Sequence, residues 1–198
     1  MRSIVLQVQQ NIFIHRADVY VFDGPKRKLY DLRDLGCVKT YASDMAQIKE
    51  TINELHEVLE EREHALFELE DGVEQDQLRE GWVMKLVLIN DERLIKAILA
   101  DRECAQKLDE MCEMFGRCRV CVIWGGYPNL KVGMVGVSDL QKYIASENVF
   151  LFFDTLGNLR LTEVTLQALR QNTRPLVRGD AYWHVGDDFR HIKTLLAE

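Results

Sequence analysis

Between Asp44 and Asp76 the chain carries one long apolar stripe and one long acidic face, and few folds accommodate both. With Met45 as the first position of a heptad, the a sites are Met45, Ile52, Leu59, Leu66 and Val73, and the d sites are Ile48, Leu55, Arg62 and Leu69. Only Arg62 is polar among them. A seam repeating every 3.5 residues over about four heptads is the pattern of a coiled coil. Ser43 or Asp44 can cap the start, because a short oxygen-bearing side chain accepts a free N–H of the first turn. No Gly or Pro interrupts the run before Gly72. Helical from Asp44 to Asp71, the segment would be roughly 42 Å long. That is wider than a small domain, so part of the stripe is expected to be covered from outside, chiefly through Ile48, Ile52, Leu55, Leu59, Leu66 and Leu69. The g positions Thr51, Val58 and Ala65 are uncharged, which widens the stripe and favours a bundle, or the protein's own sheet, over an isolated zipper.

Charge isolates the same segment. It holds twelve acids against Lys49 and Arg62, ten net negative charges, whereas the whole chain carries −7. Residues 1–43 balance at +3 and residues 77–198 at zero. No basic domain is present, so binding of nucleic acid through its phosphates is not expected. Lys26-Arg27-Lys28 follows Asp23-Gly24-Pro25 and reads as the solvated tip of a hairpin. Hydrophobic residues at 47% and charged residues at 29% of 198 are those of a globular protein. The opening MRSIVLQVQQ lacks a signal-peptide pattern, and no apolar run approaches the 18 or so residues that span a bilayer. Five cysteines without an export signal suggest free thiols. These features predict a cytoplasmic protein with no membrane association.

Along the chain, the even positions Ile4, Leu6, Val8, Ile12 and Ile14 alternate as in a half-buried strand. Val19–Phe22 reads as another, and Leu29–Leu32 as its return after the turn at Asp23-Gly24-Pro25. An antiparallel meander is therefore expected before the long helix. Trp82–Ile89 reads as a buried strand, and Asn90 or Asp91 as the cap of one helix or two with a bend near Asp101. Cys118–Trp124, Lys131–Val137 and Val149–Phe153 read as strands. Short helices are expected from Ser138, over 162–172 and from Asp187. The fold class is thus α+β or α/β: an N-terminal antiparallel meander, a long acidic amphipathic helix, then a mixed sheet with flanking helices. Domains are drawn at 1–72 and 73–198, with a joint at Gly72–Gly81, though the two can pack as one.

Chemistry is sparse. A helix starting at Asp187 would set Asp187 and His191 one turn apart, with Asp188 and His184 nearby. Imidazole and carboxylate together suit a divalent transition metal. Asp154 ends an apolar strand, where α/β enzymes place catalytic groups. Cys104, Cys112, Cys118 and Cys121 are too spread along a helix and a strand to share one zinc ion. Trp124 and Tyr127 flank Gly125-Gly126 and could line a small pocket. No Gly-x4-Gly-Lys-Ser/Thr loop, dinucleotide glycine motif or Gly-x-Ser-x-Gly elbow occurs.

The expected function is a non-enzymatic assembly or regulatory protein. It would oligomerise or dock a protein partner through the long helix, as a coiled coil or a bundle, and hold no cofactor. The competing expectation is a metal-dependent hydrolase of a phosphate ester, built on Asp154, His184, Asp187, Asp188 and His191.

Overall fold

The structure is a computed structural model, and it describes residues 1–10, 17–69, 71–125, 150–152, 180–185 and 188–193. The chain clusters into two units, Met1–Gly126 and Tyr127–Glu198. In the first unit, helix α1 (Arg2–Gln9) precedes β1 (Ala17–Asp23), a 3-10 turn (Tyr30–Leu32) and β2 (Val38–Ala42). Helices α2 (Met45–Phe67) and α3 (Gly72–Gly81) lead to β3 (Met84–Asn90). Helices α4 (Glu92–Ala100), α5 (Arg102–Glu113) and α6 (Phe115–Cys118) lead to β4 (Val120–Gly125).

The four strands form one sheet in the order β2-β1-β3-β4, every pair parallel. The expected N-terminal meander and mixed sheet are therefore corrected. Residues Ile4 and Val8 satisfy the period of a strand and the i, i+4 period of a helix equally well. Val5, which a half-buried strand would expose, decides between them: it is fully buried, packed with Val8 against Val19, Val21, Leu86 and Leu88. The expected hairpin after β1 fails for a different reason. Asp23 turns its side chain onto the chain that follows, accepting from the backbone N–H of Leu29 at 2.7 Å, so 29–32 closes into a 3-10 turn. A crossover then returns β2 alongside β1 in the same direction.

Alternation along the strands splits the core into two layers. Val19 pairs with Leu86 and Val21 with Leu88 under α1, while Phe22, Val87 and Ile89 lie on the other face and are fully buried. Helices α2, α4 and α5 follow β2 and β3 and pack against β2, β3 and β4. Helices on both faces of a parallel sheet make a doubly wound α/β layer.

Helix α2 supplies the correction with the widest consequence. Asp44 caps it, accepting from the N–H of Gln47 at 2.9 Å, and it ends at Phe67, about 34 Å long. Ile48, Ile52, Leu55, Leu59 and Leu66 are buried and Leu69 is half-buried, all within this unit. The partner of α2 is α5 of the same chain. Lys49 binds Asp101 and Glu103 at 3.1 Å each, Lys107 donates to Asn53 at 2.8 Å, and the ring Nε2 of His56 meets Glu110 at 2.5 Å. Within α2 the seam is covered by the same chain, so the coiled coil is overturned; the last a site, Val73, lies in α3 and is exposed.

Arg62, the single polar seam position, has its own use. It donates to the carbonyls of Cys118 at 2.7 Å and Val83 at 2.9 Å, and its guanidinium lies over the Trp82 ring at 5.1 Å from the centroid. One side chain thus ties α2 to the entry of both β3 and β4.

In the second unit, β5 (Phe150–Phe152), β6 (Asp180–Val185) and β7 (Asp188–Lys193) form an antiparallel sheet in that order. The helix expected from Asp187 is replaced by β7. The strands and helices expected at 131–147 and 159–172 lie outside the described residues. Among the described residues, no helix is long and apolar enough to cross a membrane.

Candidate functional site at the carboxyl edge of the parallel sheet

In an open parallel sheet the strand ends and the helices that follow them form a crevice at the carboxyl edge, where ligands bind. Here that edge is made by Asp23-Gly24 after β1, Asn90-Asp91 after β3 and Gly125 at the end of β4. The first turn of α1 meets it, since a Cβ on Gly125 would stand 2.6 Å from Met1 Cε and 3.5 Å from Asn90 Oδ1.

Asp23 and Asp91 have different roles. Asp23 is fully buried, and both its oxygens are occupied. Oδ2 accepts from Leu29 N and, at 3.0 Å, from the Tyr41 hydroxyl; Oδ1 accepts from Asn90 Nδ2 at 2.8 Å. Burial, with the Asp23 carboxylate beside it, pushes the Tyr41 phenol up to about 12. Asp23 is therefore a structural carboxylate that locks the loop, Asn90 and β2 together.

Asp91 is half-buried and caps α4, its Oδ1 accepting from Arg93 N at 2.9 Å. Its Oδ2 makes no hydrogen bond among the described residues and lies over Gly24, 2.9 Å from where a Cβ would be. Asp91 also holds φ at 96°, and its N–H donates to the Gly125 carbonyl at 3.2 Å. A non-glycine residue at such a φ is strained and costs of order 1–3 kcal/mol.

The residues singled out from sequence fare unevenly. Of the metal candidates, His184 pairs with Phe189, His191 with Tyr182 and Asp188 with Val185 across β6 and β7. Asp188 and His191 lie about 10 Å apart along a strand, and Asp187, expected one helical turn from His191, is outside the described residues. Asp154 and Tyr127 are also outside the described residues. Among those described, no group of three or more His, Cys, Asp or Glu is placed to hold a metal ion. All five cysteines are free. Burial pushes the Cys112 thiol up to about 12 and Cys121 to about 11. Asn90 and Asp91 were legible only as a helix cap. The signal that marks them is the one noted for Asp154: polar and acidic residues directly after a buried apolar strand.

No protein-family model matches the chain, and no curated protein matches it in sequence. Solved structures do match in fold, and several of them are domains of ATPases. The cytoplasmic domain of the Thermomonospora curvata type VII secretion ATPase EccC aligns with a TM-score of 0.67 at 16% identity, over 100% of this chain and 22% of that one. EssC (ATPases 2 and 3) from Geobacillus thermodenitrificans aligns at 0.64 and 15%, over 89% of this chain and 31% of that one. The pCW3 conjugation coupling protein TcpA, in a monomer form with ATPγS, aligns at 0.61 and 15%, over 96% and 54%. At such identities the likeness is one of fold, and the chain spans at most about half the length of these three structures.

With the enclosed seam of α2, this fold overturns the expectation of a non-enzymatic assembly or regulatory protein acting through a coiled coil. The phosphate-ester hydrolase expectation loses the helix it assumed, since β7 occupies Asp188–Lys193, while Asp154 and Asp187 lie outside the described residues.

Chemically, Asp91 Oδ2 is the carboxylate oxygen at this edge that could take a cation, whereas Asp23, with both oxygens engaged, could not.

Proposed function

We propose that the chain is an ATPase-type module that binds a nucleoside triphosphate with Mg²⁺ at the carboxyl edge of its parallel sheet. The observation that carries this reading is Asp91, a strand-end carboxylate held at positive φ with one oxygen unbonded among the described residues, in a fold shared with ATPase domains. Asp91 positions the metal through its carboxylate, and Asn90 keeps Asp23 and the ends of β1 and β3 in register. The sequence contains no Gly-x4-Gly-Lys-Ser/Thr run, so binding, and not turnover, is assigned to this chain by itself.

The module works inside a larger cytoplasmic assembly that handles a polypeptide. Support comes from the similar structures: two are cytoplasmic domains, and one EccC structure holds a signal sequence peptide. Self-association is part of the same proposal, and sedimentation of the purified protein measures it.

Calorimetric titration with MgATP tests the binding site. Asp91→Asn keeps a good helix cap that tolerates positive φ, and removes only the charge. It should weaken MgATP at least about tenfold, while ATP in excess chelator binds both proteins alike. Wild-type protein that takes up no MgATP at millimolar concentration contradicts the proposal.

A further inference from the structure

The ATPase-type fold usually meets phosphate charge with a lysine that this sequence does not supply in a phosphate loop. Cationic charge nevertheless stands at the same edge, on the loop that leaves β1. Lys26, Arg27 and Lys28 are all exposed, and among the described residues none of the three makes an ion pair. Unpaired cations in a row on a surface are ordinary when the loop is free to move. This loop's backbone is held at Gly24, Arg27, Lys28, Leu29 and Tyr30.

Five contacts hold it. Gly24 N donates to the Asn90 carbonyl at 3.1 Å, Arg27 N to the Gly24 carbonyl at 2.9 Å, and Tyr30 N to the Arg27 carbonyl at 3.2 Å. Leu29 N is held by the buried carboxylate of Asp23, and the Lys28 carbonyl accepts from Arg2 Nη2 of α1 at 3.3 Å. Tyr30 has the guanidinium of Arg33 at 3.7 Å and that of Arg27 at 5.7 Å from its ring centroid. Arg27 adopts φ 45°, a strained backbone for a residue with a side chain. A solvated hairpin tip needs none of this. The loop begins at Gly24, directly under Asp91, and it is tied to the first turn of α1 through Arg2.

From this juxtaposition we infer that Lys26–Lys28 is the phosphate-binding element of the site, taking the polyphosphate tail of the nucleotide in place of a phosphate-loop lysine. The inference rests on the carboxyl-edge reading above. Lys26 and Lys28 supply mobile ammonium groups to phosphate oxygens, and Arg27 is spent in part on Tyr30. The ligand class is a linear polyphosphate, free or as the tail of a nucleoside triphosphate; a monophosphate reaches fewer of the cations.

Two probes separate the inference from the reading beneath it: inorganic tripolyphosphate and MgATP, titrated at low and high salt. The variant is Lys26→Glu with Lys28→Glu, both exposed positions, with Lys26→Gln plus Lys28→Gln as a milder pair. Thermal unfolding shows that either pair is folded. The wild type should bind both probes, more weakly at high salt. The charge-reversed pair should lose at least about tenfold for each probe and the neutral pair a smaller part. MgATP bound equally by wild type and both variants overturns the loop's role while leaving the nucleotide site standing. Tripolyphosphate bound and lost in the variants, without any MgATP binding, supports the loop and removes the nucleotide reading. Neither probe bound by the wild type overturns both.

Discussion

Asp91 leans over Gly24 so closely that a methyl group on the glycine would overlap the Asp91 side chain. The ends of β1 and β3 meet there with the Asp91 side chain packed directly on the Gly24 backbone, and this contact shapes the carboxyl edge. Gly24→Ala should cost about 1–3 kcal/mol, because Asp91 is anchored by its cap and its backbone and cannot retreat. Gly125→Ala clashes with the flexible tip of Met1, with Asn90 Oδ1 at an ordinary 3.5 Å, and should cost less than about 1 kcal/mol. Chemical denaturation of the two variants checks the contrast.

The buried carboxylate of Asp23 predicts a second contrast. Asp23→Ala strips Leu29 N, Tyr41 Oη and Asn90 Nδ2 of their acceptor and should destabilise by about 2–4 kcal/mol. Tyr41→Phe removes one bond and should cost about 1 kcal/mol at neutral pH. The phenol's folded pKa is raised from 10.0 to about 12, so the folded state favours the protonated form. Its contribution is complete below pH 10 and is lost as pH rises from about 10 to about 12. The phenylalanine variant should lack that part of the alkaline loss in a pH series of unfolding curves.

Arg62 separates the seam seen in sequence from the one seen in structure. For a coiled coil, Arg62→Leu would complete the d positions and stabilise. Here it frees the Val83 and Cys118 carbonyls and the Trp82 face, and should destabilise by about 2–3 kcal/mol. Urea unfolding gives the sign.

Burial raises every cysteine thiol, Cys112 and Cys121 most. Thiolate is the reactive form, so alkylation at pH 8 should be slow in the folded protein. All five thiols should react rapidly in denaturant. Fast labelling of Cys112 or Cys121 in the native protein would contradict the packing of α5 against β4.

Local structure was legible where one residue decides it. Asp44 caps α2, Asp91 caps α4, and Asp101 breaks α4 from α5. The buried run before Asn90 reads directly as β3. What stayed hidden was long-range. Parallel pairing of β1 with β2 and β3 depends on crossovers, which leave no turn motif in the sequence. The stripe of α2 shows that something covers it but not that the cover is α5, because apolar seams carry no address. Residues 4 and 8 fit two periods at once, and only the burial of Val5 separates them. At the edge, the missing phosphate-loop motif was readable and is still true. The meeting of Gly24 with Asp91 is not readable, since those residues are far apart in the chain and join only through the sheet register.

Paramagnetic broadening by ATP carrying Mn²⁺ in place of Mg²⁺ tests the placement of the nucleotide most directly. Amide signals of Gly24, Asp91 and Gly125 should broaden first, and Asp91→Asn should abolish the effect. Broadening centred on Arg62 and Trp82 at the opposite edge of the sheet, or none at saturating ATP, would contradict the account.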